Sequence, residues 1–125
     1  MSFSIDDCLV PDWPAPPNVR ALMTTRAGGV SVPPWNTLNL GIAVGDDPDA
    51  VRENRARLRS ILPADPRWLL QVHGDRVVDA LQVIDLERAD ASHTDRPGIV
   101  CVVQTADCLP VLFTDRAGTR VAAAH

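Results

Sequence analysis

Lysine and tyrosine are missing from this 125-residue chain, and all 12 of its basic residues are arginine. Without lysine there is no Schiff-base chemistry and no pyridoxal anchor. The Walker A phosphate loop needs the same residue and is excluded with it. Positive charge is scarce too, because 16 acidic residues leave a formal net charge of −4. Nucleic acid and anionic membrane surfaces both require a basic face, so neither is an expected partner. No run of about 18 apolar residues is present to span a bilayer. The opening Met1-Ser2-Phe3-Ser4-Ile5-Asp6-Asp7 lacks the basic start and apolar stretch of a secretory signal. Cysteine is limited to positions 8, 101 and 108, an odd and unevenly spaced set that implies no disulfide framework. These absences together point to a cytoplasmic protein with reduced thiols.

What remains is enough to fold. An apolar fraction of 46% supports a core, and the length suits one α/β or α+β domain. Residues 1–18 carry Pro11, Pro14, Pro16 and Pro17 around Trp13 and read as an extended, proline-rich lead-in. A first strand is expected over Val19–Thr25, broken by Arg26-Ala27-Gly28-Gly29, and a long irregular loop over Val32–Gly41. One helix is expected from Pro48 to Leu62, with Asp47 as N-cap and Pro63 as the stop. Its inner face would hold Val51, Leu58 and Leu62, and its outer face a Glu53–Arg57 pair. Strands are expected at Trp68–Val72, Val77–Ile84 and Ile99–Val103, the last one buried, with a polar, turn-rich stretch over Asp85–Pro97. Leu109–Phe113 and Val121–Ala124 are two further apolar segments joined by a turn at Asp115–Gly118. The chain stops on Ala122-Ala123-Ala124-His125, inside apolar sequence, and the expectation is a truncated protein.

Few residues can carry chemistry. His73 directly precedes Gly74 after one strand, Cys108 follows Thr105-Ala106-Asp107 after another, and His125 ends a third. Three such ligands can hold one ion and leave a fourth position for water, as catalytic zinc sites do. Their separations are too long for a local metal signature. The same atoms also suit a cysteine nucleophile at Cys108 with a histidine base. Cys101, between valines, reads as a small core residue, Cys8 as an incidental thiol, and His93 as a solvated loop residue. Gly28 and Gly29 read as a turn or as an amide cradle for an anion beside Arg26, which equally suits an ion pair.

Taken in order, the motifs are more specific than any one of them. They are Thr24-Thr25-Arg26-Ala27-Gly28-Gly29-Val30-Ser31, Asn39-Leu40-Gly41, Val44-Gly45-Asp46-Asp47 and Glu53-Asn54-Arg55. Gln71-Val72-His73-Gly74, Ala89-Asp90-Ala91, Thr105-Ala106-Asp107-Cys108-Leu109-Pro110 and Val121-Ala122-Ala123-Ala124-His125 follow. The series resembles the YfiH-like family, long labelled polyphenol oxidase or laccase-domain proteins and now described as purine nucleoside phosphorylases. That resemblance implies an α+β fold, an αββα sandwich of mixed sheets, of which residues 1–125 would be the N-terminal portion of a single domain. It implies zinc on His73, Cys108 and His125, with copper as the alternative under the older label. It implies phosphorolysis of adenosine, inosine, guanosine and methylthioadenosine, with adenosine deamination as a second activity. A copper cluster would need more histidines than three.

Within that reading Cys108 and Asp107 are the catalytic candidates, Asp107 as proton relay, and Arg26 with Gly28 and Gly29 is the phosphate cradle. The expected partners are a purine nucleoside and phosphate, with self-association to cover the missing half. A metal-binding fragment without activity, a cysteine-dependent hydrolase or deamidase, and a copper-dependent polyphenol oxidase are the alternatives.

Overall fold

The computed structural model describes residues 3–125, so Met1 and Ser2, the start of the expected lead-in and of the segment read for a signal, lie outside the described residues. The helix α1, Pro48–Arg59, begins as its sequence demands. The Asp47 side chain accepts from the Asp49 amide at 3.0 Å, and Pro48 occupies the first turn, where no amide is needed. Asp49 in that turn and Arg57 and Arg59 in the last one match the helix dipole. Regular helix ends three residues before the expected Leu62. The last turn tightens there, with Ile61 and Leu62 donating to the carbonyls of Leu58 and Arg59 three residues back.

The inner face of α1 holds Val51 and Leu58, as expected, but its most buried member is Asn54. The Asn54 side chain donates to the Ser31 hydroxyl at 2.9 Å and to the Asn39 carbonyl at 2.8 Å, and accepts from the Val30 amide at 2.9 Å. Asp46 extends this network by accepting from the Ser31 hydroxyl at 2.6 Å and from Asn39 at 3.1 Å. A long loop without helix or strand is thereby held by side-chain bonds in place of a backbone ladder. Ahead of it, Ser4 caps a 3-10 turn at Ile5–Asp7. The short strands β1, Cys8–Leu9, and β2, Met23–Thr24, pair antiparallel. The lead-in is therefore not uniformly extended, and the first expected strand shrinks to two residues.

The chain divides into two compact units. One comprises the residues up to Asp12 with Ala21–Leu62 and contains everything described so far. The other comprises Trp13–Arg20 with Pro63–His125. Within this second unit, β3, Leu69–Leu70, runs parallel to β5, Glu87–Arg88. A four-stranded mixed sheet is built from β4, Val77–Asp79, β6, Ala91–Thr94, β7, Val111–Thr114, and β8, Val121–Ala124. Its order is β4-β6-β8-β7, parallel between β4 and β6 and antiparallel elsewhere. Leu69, Val78, Val83 and Ala89 form the buried apolar cluster of this unit. Gly118, at φ +70°, closes the β7–β8 hairpin within Asp115–Gly118, as the turn chemistry foretold.

Several expectations fail here. The stretch Asp85–Pro97 is not merely turn-rich, since it supplies β5 and the central strand β6. In β6 the inward positions are Ser92 and Thr94, both buried, so the alternation is real but carried by small polar side chains. His93 lies half-buried in that strand opposite Asp79 and Ala122, not in a solvated loop. Conversely, Ile99–Val103 forms no strand and is only half-buried. Val100 makes a single bridge to Pro66 and accepts from the Arg67 amide at 3.0 Å. Val77–Ile84 bends after three residues, where the Asp79 side chain caps a 3-10 turn at Ala80–Gln82. The class is nonetheless α+β, with one α-helix and mixed sheets among the described residues. No helix among them is long and apolar enough to cross a membrane.

Candidate metal centre

A sharp turn after β3 carries the first candidate ligand. His73 sits at φ +59°, in the left-handed region that a side chain with a Cβ rarely occupies. That conformation turns three successive amides, those of Val72, His73 and Gly74, toward one acceptor. The acceptor is the Asp90 carboxylate, at 3.0, 2.9 and 3.0 Å respectively. Asp90 lies just before β6, behind the fully buried Ala89, and its own amide donates to the Arg76 carbonyl at 3.1 Å.

The last candidate ligand is positioned by the same residue. β8 pairs with β6 so that Ala124 faces Ala91, which brings His125 beside Asp90. The His125 amide donates to the Asp90 carbonyl at 2.7 Å, and its ring Nδ1 lies 2.8 Å from Asp90 Oδ2. Both side chains are almost fully buried. Burial pushes the Asp90 carboxyl up, but the bonds from His125 and from the Gly74, Val72 and His73 amides prevail. They hold it well below the usual carboxylate range.

Cys108 comes from the irregular segment after Val103 and is exposed. That segment is tethered to the histidine turn by Gln71, whose side-chain amide donates to the Gln104 carbonyl and accepts from the Gln104 amide, each at 2.7 Å. A side chain here takes the place of a strand neighbour. Cys108 Sγ lies 3.8 Å from the Asp107 carboxylate, the partner expected of the proton relay.

One potential ligand atom from each of His73, Cys108 and His125 lies within 4.8 Å of the other two. The two imidazoles meet edge to face, with centroids 4.8 Å apart. Zinc bonds of roughly 2.0–2.3 Å in a tetrahedron would set ligand atoms about 3.3–3.6 Å apart, so closure needs a contraction of at most about 1.5 Å. Two imidazoles and a thiol are a donor set that zinc accepts. His93 is not part of this cluster. Burial pushes the Cys8 and Cys101 thiols up, which suits neither for ligation or attack. Cys8 belongs to β1 and is half-buried, and Cys101, expected in the core, is half-buried as well.

The remaining candidates, Arg26, Gly28 and Gly29, belong to the other unit. The exposed Arg26 guanidinium donates through Nε to the Asn36 carbonyl at 2.9 Å. Gly28, at φ +94°, has no room for a Cβ, which would stand 2.6 Å from the Phe3 ring. A Cβ on Gly29 would run into the Thr37 carbonyl, and the Gly29 amide already donates to the Thr37 hydroxyl at 3.1 Å. Close packing explains both glycines, and the Gly29 amide is committed within the loop.

The role of Asp90 is not legible in the sequence, where it is an acidic residue between two alanines in Ala89-Asp90-Ala91.

Comparison with known proteins shows the family to which the chain is related. A family model described as multi-copper polyphenol oxidoreductase laccase matches residues 20–125. A purine nucleoside phosphorylase of Pseudomonas aeruginosa is 60% identical over 117 residues, covering 94% of this chain and 48% of that protein. The purine nucleoside phosphorylase YfiH of Escherichia coli is 56% identical over 120 residues, with 94% and 49% covered. The crystal structure of Neisseria meningitidis protein NMB0706 superposes with a TM-score of 0.91 at 52% identity, over 95% of this chain and 50% of that one. The chain spans about half the length of the curated relatives it matches.

Proposed function

The chain belongs to the multi-copper polyphenol oxidoreductase laccase family, and from that premise we propose that it carries the zinc site of a purine nucleoside phosphorylase. The observation that carries this reading is the convergence of His73, Cys108 and His125 in a chain whose relatives bear that enzyme's name. The substrates are a purine nucleoside and phosphate, with adenosine, inosine, guanosine and methylthioadenosine as the nucleosides and adenosine deamination as a second activity. One zinc is favoured over a copper cluster, because the donors that converge are two imidazoles and one thiol. Free thiols at Cys8, Cys101 and Cys108 suit a reducing, cytoplasmic compartment.

Zinc, when bound, supplies Lewis-acid activation of an oxygen nucleophile. His73 and His125 contribute imidazole nitrogens to hold it, and Cys108 contributes sulfur. Asp107, exposed and adjacent to Cys108, accepts a proton at its carboxylate and returns it to the leaving group. The Arg26 guanidinium, exposed beside the loop, pairs with a phosphate oxygen while its Nε stays on Asn36.

The test uses the full-length protein with adenosine or inosine and phosphate, following free base and ribose 1-phosphate. Turnover should vanish on chelation and return with zinc. Turnover that survives chelation but is lost to thiol alkylation would replace this reading with a Cys108 nucleophile. Bound zinc without turnover in the 125-residue chain would leave it a metal-binding fragment, or one that acts only after self-association.

A further inference from the structure

One carboxylate touches both histidines of the candidate centre. Asp90 Oδ2 accepts from the His73 amide at 2.9 Å and lies 2.8 Å from His125 Nδ1, while Oδ1 accepts from the Val72 and Gly74 amides. A carboxylate engaged by three amides has only acceptor capacity left for the imidazole. His125 must therefore carry its proton on Nδ1, and its Nε2 lone pair is the one offered to a metal. The three amide bonds to the same carboxylate fix the turn that holds His73 in its left-handed conformation. The backbone of His73 and the ring of His125 are thus both tied to one side chain almost sealed from solvent.

We propose that Asp90 is the positioning residue of this centre: it selects the Nδ1–H tautomer of His125 and locks the His73 turn, so that two ligands stand ready before metal arrives. This rests on the reading of His73, Cys108 and His125 as the zinc ligands. Carboxylates that orient a ligating histidine contribute about 10–100-fold to metal affinity. Asp90 does more than that arrangement requires, since it also organises the backbone of a second ligand.

Asn at position 90 separates the two roles. Its carbonyl oxygen can still accept from the Val72 and Gly74 amides, preserving part of the turn. Its NH2 group then faces the His73 amide and the Nδ1–H of His125, donor against donor. The imidazole has to give up the Nδ1 proton, and Nε2 is then protonated and lost as a ligand.

The experiment measures zinc affinity of the full-length protein by competition with a chromophoric chelator, for wild type, Asp90→Asn and Asp90→Glu. In parallel, 15N spectra of the metal-free wild type read the His125 tautomer. The expected result is an Nδ1–H tautomer in the wild type, a loss of about 10–100-fold in affinity for Asp90→Asn, and partial recovery in Asp90→Glu. An Nε2–H tautomer in the wild type overturns the proposal even if every variant misfolds. So does an Asp90→Asn protein that folds and binds zinc within about twofold of the wild type. A wild type that binds no zinc removes the metal reading itself, and the role of Asp90 falls with it.

Discussion

His73 holds a backbone conformation that costs free energy, and that cost can be measured. A residue with a Cβ in the left-handed region is strained by about 1 kcal/mol relative to glycine, which adopts it freely. His73 stands at φ +59°, and its amide is one of three bonded to Asp90, so the backbone cannot relax without giving up buried bonds. The informative pair is His73→Gly and His73→Ala. Both remove an exposed ring, but only glycine removes the strain. In the metal-free protein His73→Gly should be about 1 kcal/mol more stable than His73→Ala. With a urea slope of about 2 kcal/mol/M, the midpoints should differ by about 0.5 M. Both variants should lose zinc binding, so the stabler one is also metal-blind. Urea unfolding in excess chelator, followed by circular dichroism, gives the midpoints. An alanine variant equal to or stabler than the glycine variant would mean that the turn is not strained, and the argument for a preset ligand would fail with it.

Other residues give independent checks. Asn54→Ala strips partners from the Val30 amide and the Asn39 carbonyl in a fully buried site, and should cost about 2–4 kcal/mol, read as a fall in the unfolding midpoint. The bond from Ser31 holds the Asp46 carboxyl below its ordinary value. Its contribution to stability is therefore complete above the unfolded carboxylate value and fades as pH falls through the lower folded one. Asp46→Asn should flatten that acid limb in a pH series of unfolding midpoints, and an unchanged limb would dismiss the Ser31 bond as its source. Gln71→Ala should speed hydrogen exchange at the Gln104 amide and weaken zinc binding severalfold, because the tether of the Cys108 segment is cut. Unaltered exchange there would show that the segment is held by something else.

How much of this was readable beforehand varies with the kind of signal. The helix α1 was legible because Asp47, Pro48 and Pro63 mark its ends chemically and Val51 and Leu58 repeat at helical spacing. The β7–β8 hairpin was legible because Asp115-Arg116-Ala117-Gly118 is turn chemistry between two apolar runs. β6 was not, because Ala91-Ser92-His93-Thr94 buries hydroxyl side chains and so hides its alternation. Ile99–Val103 misled in the opposite direction, since apolar composition says nothing about whether a ladder partner is at hand. The three candidate ligands could be named from the order of the motifs, and the fold brings them within reach of one another. Asp90 could not, because its role depends on three amides of a distant turn and on an imidazole 35 residues away.

Zinc K-edge X-ray absorption of the purified full-length protein reads the ligand set itself. The expected spectrum has one sulfur at about 2.3 Å and nitrogen neighbours at about 2.0–2.1 Å, and the sulfur shell should disappear in Cys108→Ser. A zinc shell of nitrogen and oxygen alone in the wild type, or a sulfur shell that survives in Cys108→Ser, would contradict a centre built from His73, Cys108 and His125.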